Sequence, residues 1–262
     1  MNKKTFLFFI ASLYFTPVQS AITHIFLDPN VVFETNTSKA AGYVGKWESI
    51  KFTAAVGSLP SQKHFFEALM PITATSVIRT YDEGLPAPFI ISDWLLGAST
   101  AELTAKVKSF LDNSSLSKPE KKVHMNTVNM MFNGQSLAKV QKVRHKIPKL
   151  LKQLKQQGYK VHFVGNWANI QPLKEAFPKI FSEFDSISIS SDIKQLKPKK
   201  EFWETVWTNM NINPEECLCI EAEQIFYDVA STLTCKAVLY HSKKDIKHFA
   251  AELQAAGVSV SL

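Results

Sequence analysis

The sequence predicts an α/β protein with a three-layer, Rossmann-like core around a parallel sheet. From Lys160 onward, short β-rich runs alternate with helical patterns across links of a few residues. Strands joined through helices in this way pair in parallel, by right-handed crossovers. One further β-rich run, residues 22–27 (Ile-Thr-His-Ile-Phe-Leu), stands far upstream. Between it and the alternating half lie about a hundred residues without a strand series. They are dense in aromatic and Met side chains at helical spacing, including Trp47, Phe65, Trp94 and Met130. The reading is therefore a core over 21–34 and 134–262, with a mostly helical insertion over 35–133 after the first strand.

The elements justify themselves in order. Residues 1–20 combine Lys3 and Lys4, an uncharged run from Thr5 to Phe15, and the small or neutral Val18 and Ser20 before Ala21. This is the pattern of a cleavable signal peptide, and the run is too short to span roughly 30 Å of hydrocarbon. The expectation is an exported protein, periplasmic or secreted, with no transmembrane segment in the mature chain. Helical patterns come next at 38–55, 61–70, 88–96 and 99–112, then a turn or linker at Asn113–Pro119. Residues 136–157 read as one long helix with Leu137, Val140, Ile147, Leu150, Leu151 and Leu154 on one side, kinked at Pro148 and stopped at Gly158. Strands are expected at 160–164, 186–190, 217–221 and 236–240, and helices at 171–182, 199–209, 223–231 and 244–255. The alternation Ser-Ile-Ser-Ile from Ser186 marks a half-buried or edge strand.

Composition agrees with a folded body: 20% charged and 45% hydrophobic residues exclude an intrinsically disordered chain. Removing Lys3 and Lys4 lowers the formal charge from +7 to +5. The cysteines, Cys217, Cys219 and Cys235, lack zinc spacing. They read as small core fillers, or, in an oxidising compartment, as a Cys217–Cys235 bridge between neighbouring strands. Gly-x-Ser-x-Gly, His-Glu-x-x-His and Gly-x-Gly-x-x-Gly are all missing from the sequence.

In an open parallel sheet, functional groups gather beyond the carboxyl ends of the strands. Asp28 and Asn30 come after the first predicted strand, Gly165 and Asn166 after the second, and Glu221 and Glu223 after the fourth; Lys194 and Lys197-Pro198 come after the third. Carboxylates, an amide and a lysine converging there suit the binding or attack of a phosphoryl group. The Asp would act as nucleophile or metal ligand, the Lys would offset oxyanion charge, and the second carboxylate would help hold Mg²⁺.

These same residues resemble the haloacid dehalogenase-like superfamily, mostly phosphatases. Its first motif, a strand ending in Asp-x-Asp-Gly-Thr/Val, is matched by Ile25-Phe26-Leu27-Asp28-Pro29-Asn30-Val31-Val32. Its second, a strand ending in Ser or Thr, often with Asn next, is matched by Val161-His-Phe-Val-Gly165-Asn166. Lys197-Pro198 stands for the third and Cys217-Leu-Cys-Ile-Glu221-Ala222-Glu223 for the fourth, the two-acid strand end. The resemblance makes 35–133 the family's cap. It implies Asp28 as nucleophile, Lys197 as catalytic and phosphate-binding residue, and Gly165 and Asn166 at the phosphate. It also implies Mg²⁺ held by Asp28, the Asn30 carbonyl and Glu221. Asn30 replaces the family's proton donor, Gly165 its hydroxyl, and Ala222 one acid. Two functions are open. One is a weak or specialised Mg²⁺-dependent phosphatase of small phosphorylated molecules, toward which Asp28 and Lys197 tip the sequence; the other is a catalytically impaired ligand- or partner-binding scaffold.

Residues 121–174 contain eleven Lys and Arg and no Asp or Glu. Lys139, Lys142, Lys146 and Lys149 recur at helical steps along the expected long helix. They are either its solvated outer face or, over 139–155, a surface for anionic partners. Nucleic acid is not expected, since no aromatics interleave with the lysines.

Overall fold

The computed structural model describes residues 21–45, 50–51, 79–80, 86–87, 89–241 and 246–261. The expected leader at 1–20 and helix at 61–70 lie outside the described residues, as does part of the helix expected at 38–55. Strand β1 (His24–Leu27) leads into a single helical turn, α1 (Pro29–Val32), and a short strand, β2 (Phe33–Thr35). The inserted segment comes next: α2 (Thr37–Val44), the two-residue strands β3 (Arg79–Thr80) and β4 (Pro86–Ala87), then α3 (Phe89–Leu95), α4 (Thr100–Asn113) and α5 (Lys118–Phe132). The chain returns through α6 (Gly134–Val140), β5 (Gln141–Val143) and α7 (Ile147–Gln156). It continues with β6 (Lys160–Gly165), α8 (Gln171–Ala176), α9 (Pro178–Phe181), β7 (Ser186–Ile189) and α10 (Ser190–Ile193). Helix α11 (Lys200–Met210), β8 (Cys217–Glu221), α12 (Gln224–Thr232), β9 (Lys236–Leu239) and α13 (Ile246–Ala255) complete it.

The five long strands form one parallel sheet in the order β7-β6-β1-β8-β9. Central strands of such a sheet are covered on both faces and need apolar residues throughout. Accordingly every residue of β8 is buried, and in β1 all but His24. One face packs Ile25, Leu27, Val161, Phe163, Leu218 and Ile220 against Leu150 and Leu154 of α7 and Phe249 and Leu253 of α13. The other packs Phe26, Val164, Cys217 and Cys219 against Trp203, Val206 and Trp207 of α11 and Ala230 of α12. Leu103, Val107, Leu111, Val128 and Phe132 form a separate cluster between α4 and α5.

Register places the site. Leu27 pairs with Phe163 on one side and Ile220 on the other, so the next residue, Asp28, stands level with Val164 and Glu221 at the strands' carboxyl ends.

Three expectations need correction. Residues 136–157 are not one helix, because Gln141–Val143 pairs antiparallel with Phe33–Thr35 and interrupts it; a local apolar period cannot register that distant partner. The basic residues therefore form no helical stripe: Lys139 lies on α6, Lys142 on β5, and Lys146 and Lys149 at the start of α7. Pro119 belongs to a helix rather than a linker. It sits in the first turn of α5, where a missing N–H costs nothing, and Glu120 Oε2 accepts the Ser117 N–H at 2.8 Å. The cysteines are all buried and free, as core fillers, with the Sγ atoms of Cys219 and Cys235 3.5 Å apart.

Candidate active site

Asp28, Lys197 and Glu221, from the ends of β1, the loop before α11, and β8, meet in one buried cluster. Asp28 caps α1, its Oδ1 accepting the Asn30 N–H at 2.8 Å, while Oδ2 faces Lys197. The Lys197 Nζ donates to Asp28 Oδ2 at 2.5 Å and to Glu221 Oε2 at 2.6 Å. The side chains are 0% (Lys197), 2% (Asp28) and 1% (Glu221) exposed. The rings of Phe226 and Trp203 flank the ammonium at 4.9 and 5.4 Å from their centroids, within cation–π range. Asn166 fixes the lysine from behind. Its Oδ1 accepts the Lys197 N–H at 2.9 Å and its Nδ2 donates to the Lys197 carbonyl at 3.0 Å.

The cluster's charges are interdependent. Burial pushes the Glu221 carboxyl up, and the Asp28 charge adds to this against the pull of Lys197, to about 8. Burial would lower Lys197, but Asp28 and Glu221 outweigh it and hold its pKa above the ordinary lysine value. At neutral pH the arrangement is thus one ion pair beside a protonated acid, which limits the penalty of burying charge. Glu221 Oε1 is buried with no hydrogen-bond partner. Glu223, whose side chain opens to solvent at the start of α12, is raised by partial burial and by Asp28.

On the other side of Asp28, carbon replaces polar groups. Gly165 ends β6 against Pro29: a Cβ at 165 would lie 2.3 Å from Pro29 Cδ, 2.9 Å from its Cγ and 3.2 Å from Asp28 Oδ2. In proline, Cδ takes the place of the amide hydrogen. Pro29 therefore aims a methylene where an N–H would point, into the space that a side chain at 165 would fill.

A sequence profile of haloacid dehalogenase-like hydrolases matches residues 62–222, more than half the chain. This chain belongs to that family. Solved structures agree on the fold. A HAD family enzyme from Bacteroides thetaiotaomicron is 14% identical with a TM-score of 0.55, covering 88% of this chain and 98% of its own. The wild-type enzyme in complex with magnesium and inorganic phosphate is 15% identical at a TM-score of 0.55, covering 87% and 99%. A predicted HAD-like family hydrolase from Porphyromonas gingivalis is 15% identical at 0.53, covering 90% and 99%. No curated protein sequence matches this chain.

Set against the haloacid dehalogenase-like pattern, the structure brings Asp28, Lys197 and Glu221 together and stations Gly165 beside them. Asn30 is different: its side chain has no titratable proton, and its carbonyl accepts Arg144 Nε at 2.9 Å. Asn166 is engaged with the Lys197 backbone, and Lys194 donates to the Leu96 carbonyl, just past α3, at 2.9 Å. Ser190 joins it there, donating to the Leu95 carbonyl at 2.7 Å, so core side chains tether the end of α3. Sequence reasoning missed Arg144, Trp203 and Phe226 as parts of the site. Pro29 was a signal within reach of sequence, since a proline directly after a candidate nucleophile removes an N–H.

Proposed function

We propose that this chain uses the haloacid dehalogenase-like fold as a binding scaffold and has lost most of the family's phosphoryl transfer. The Pro29–Gly165 contact carries this reading. Phosphoryl transfer depends on fixed donors aimed at the oxygens where charge develops. Here the Pro29 amide hydrogen and a hydroxyl at 165 give way to one apolar methylene. The Asn30 N–H is taken by Asp28, and two of the three Lys197 ammonium hydrogens go to Asp28 and Glu221. Losing a single oxyanion donor costs about 10²–10³ in rate, and losing the general acid about 10²–10⁴. Together these remove roughly 10⁴–10⁷ even with only one donor counted. Retention of Asp28 and Lys197 is no counterargument, since they also hold a buried ion pair.

A second reading, a slow Mg²⁺-dependent phosphatase, is favoured by the partnerless Glu221 Oε1. Among the described residues no three His, Cys, Asp or Glu side chains gather as a metal site. Mg²⁺, however, keeps several waters and takes one or two carboxylates, so Asp28, Glu221 and the Asn30 carbonyl fit it. Bound there, the ion would neutralise phosphoryl charge; Asp28 would attack, and Asn30 would have no proton for the leaving group. Substrates would be confined to esters whose leaving group departs unaided.

An aryl phosphate assayed with Mg²⁺, using wild type and Asp28→Asn, separates the two. The scaffold reading expects no turnover that depends on Asp28. Turnover abolished by Asp28→Asn and extended to alkyl esters by Asn30→Asp would replace it with the phosphatase. We propose further, on the Met1–Ser20 pattern, that the protein acts after export. N-terminal sequencing of secreted or periplasmic material should then begin near Ala21.

A further inference from the structure

We infer that a trough between the cap and the core, separate from the Asp28 cluster, binds a single-chain amphiphile with a carboxylate head group. The trough is open to solvent and has a volume of about 850 Å³, within the range of small-molecule sites, which pair apolar walls with few polar groups. Tyr43 of α2, Val143 of β5 and Phe177 at the end of α8 supply apolar wall, and Lys39, Lys139 and Lys142 also line it. Helix α2 leaves this wall uncovered. None of its eight residues is fully buried, and Tyr43 remains 39% exposed. Against an amphipathic helix, such an apolar surface calls for a further apolar occupant.

Charge defines the occupant's other end. Lys142 is paired with Glu34 at 2.9 Å, but Lys39 and Lys139 have no ion pair among the described residues. Among those residues no acid lines the trough, and half of its lining, between Ala138 and Val143, lies in the acid-free stretch 121–174. Two ammonium groups without counter-ions, beside an aromatic and aliphatic wall, complement an alkyl chain ending in an anion. Among the described residues the cations of the lining are all lysines, and a lysine ammonium recognises a carboxylate as a point charge.

Calorimetric titration with dodecanoate and with dodecanol, on the full chain, tests this. Saturable 1:1 binding of dodecanoate is expected, with dodecanol weaker. The double variant Lys39→Gln, Lys139→Gln should weaken dodecanoate by about tenfold, as exposed charge contacts allow, and should bring it level with dodecanol. Tyr43→Asp should abolish both, with circular dichroism unchanged. Lys152→Gln with Lys155→Gln, on α7 away from the trough, should bind as wild type. The inference fails if dodecanol binds as well as dodecanoate. It fails equally if the α7 variant loses as much as the trough variant, since the basic face as a whole would then be responsible, or if no saturable binding occurs.

Discussion

The two sides of Asp28 differ in chemistry. Toward β8 the site keeps its charged groups: Lys197, flanked by the Phe226 and Trp203 rings, bridges Asp28 and Glu221, and Glu223 stands near. Toward β6 it is carbon: Gly165 has no side chain and Pro29 fills the space. The difference separates what the fold needs from what catalysis needs. A lysine buried with its counter-ions cannot be removed alone without stranding a charge, so it persists whether or not it catalyses anything. A hydroxyl or an amide facing a ligand carries no such burden and can be lost without harm to the fold. Acids and lysines retained at a degenerate site are therefore weak testimony for activity, whereas the small residues beside them are strong testimony against it.

The largest test of this asymmetry is Lys197→Met. It leaves Asp28 buried without a counter-charge and should cost about 3–5 kcal/mol in denaturant unfolding. Adding Asp28→Asn and Glu221→Gln should recover most of that, because nothing charged is then left buried. A loss below about 1 kcal/mol for Lys197→Met would break the comparison, since the polar side would then have no structural reason to survive.

The carbon side is probed by Gly165→Ala. The new Cβ would meet a ring carbon fixed to the backbone, and overpacking of this kind costs about 1–3 kcal/mol. Pro29→Ala should relieve it, giving a clear coupling in a double-mutant cycle. Independent effects of the two changes would mean that the contact is not tight.

The smallest effect is in the pH dependence. Glu221, raised from 4.5 to about 8, keeps its proton in the folded protein where the unfolded chain has lost it. Its contribution is complete below pH 4.5 and disappears as pH rises through about 8. His162, lowered from 6.5 to about 4 by burial and by His24, acts with the opposite sign below 6.5, so the clear window is pH 6.5–8. Stability should fall there by at most about 1.4 kcal/mol per unit, and Glu221→Gln should flatten the slope. A flat wild-type profile would place Glu221 among the ionised groups.

Much of this architecture is legible in the sequence, for identifiable reasons. The sheet strands announce themselves because buried parallel strands must be apolar, and Asp28, Lys197 and Glu221 are found by looking just past each strand's carboxyl end. The short pair β2 and β5 is invisible: three residues each hold no period, and their partners are distant. Helix α5 hides because its face mixes His, Asn and Met. In the site, individual departures can be read, but their joining cannot. That Pro29 lies on Gly165, or that Arg144 reaches the Asn30 carbonyl, depends on packing that no local pattern encodes.

The Pro29–Gly165 contact also makes the two positions answer to one another in substitution. A Cβ at 165 would lie 2.3 Å from a ring carbon of Pro29, so a side chain there is accommodated only where the ring shifts or is gone. Replacing Pro29 alone restores an N–H but puts no hydroxyl at 165. Installing both polar groups on this side of Asp28 therefore takes a paired change, and a library that varies 29 and 165 separately never samples it.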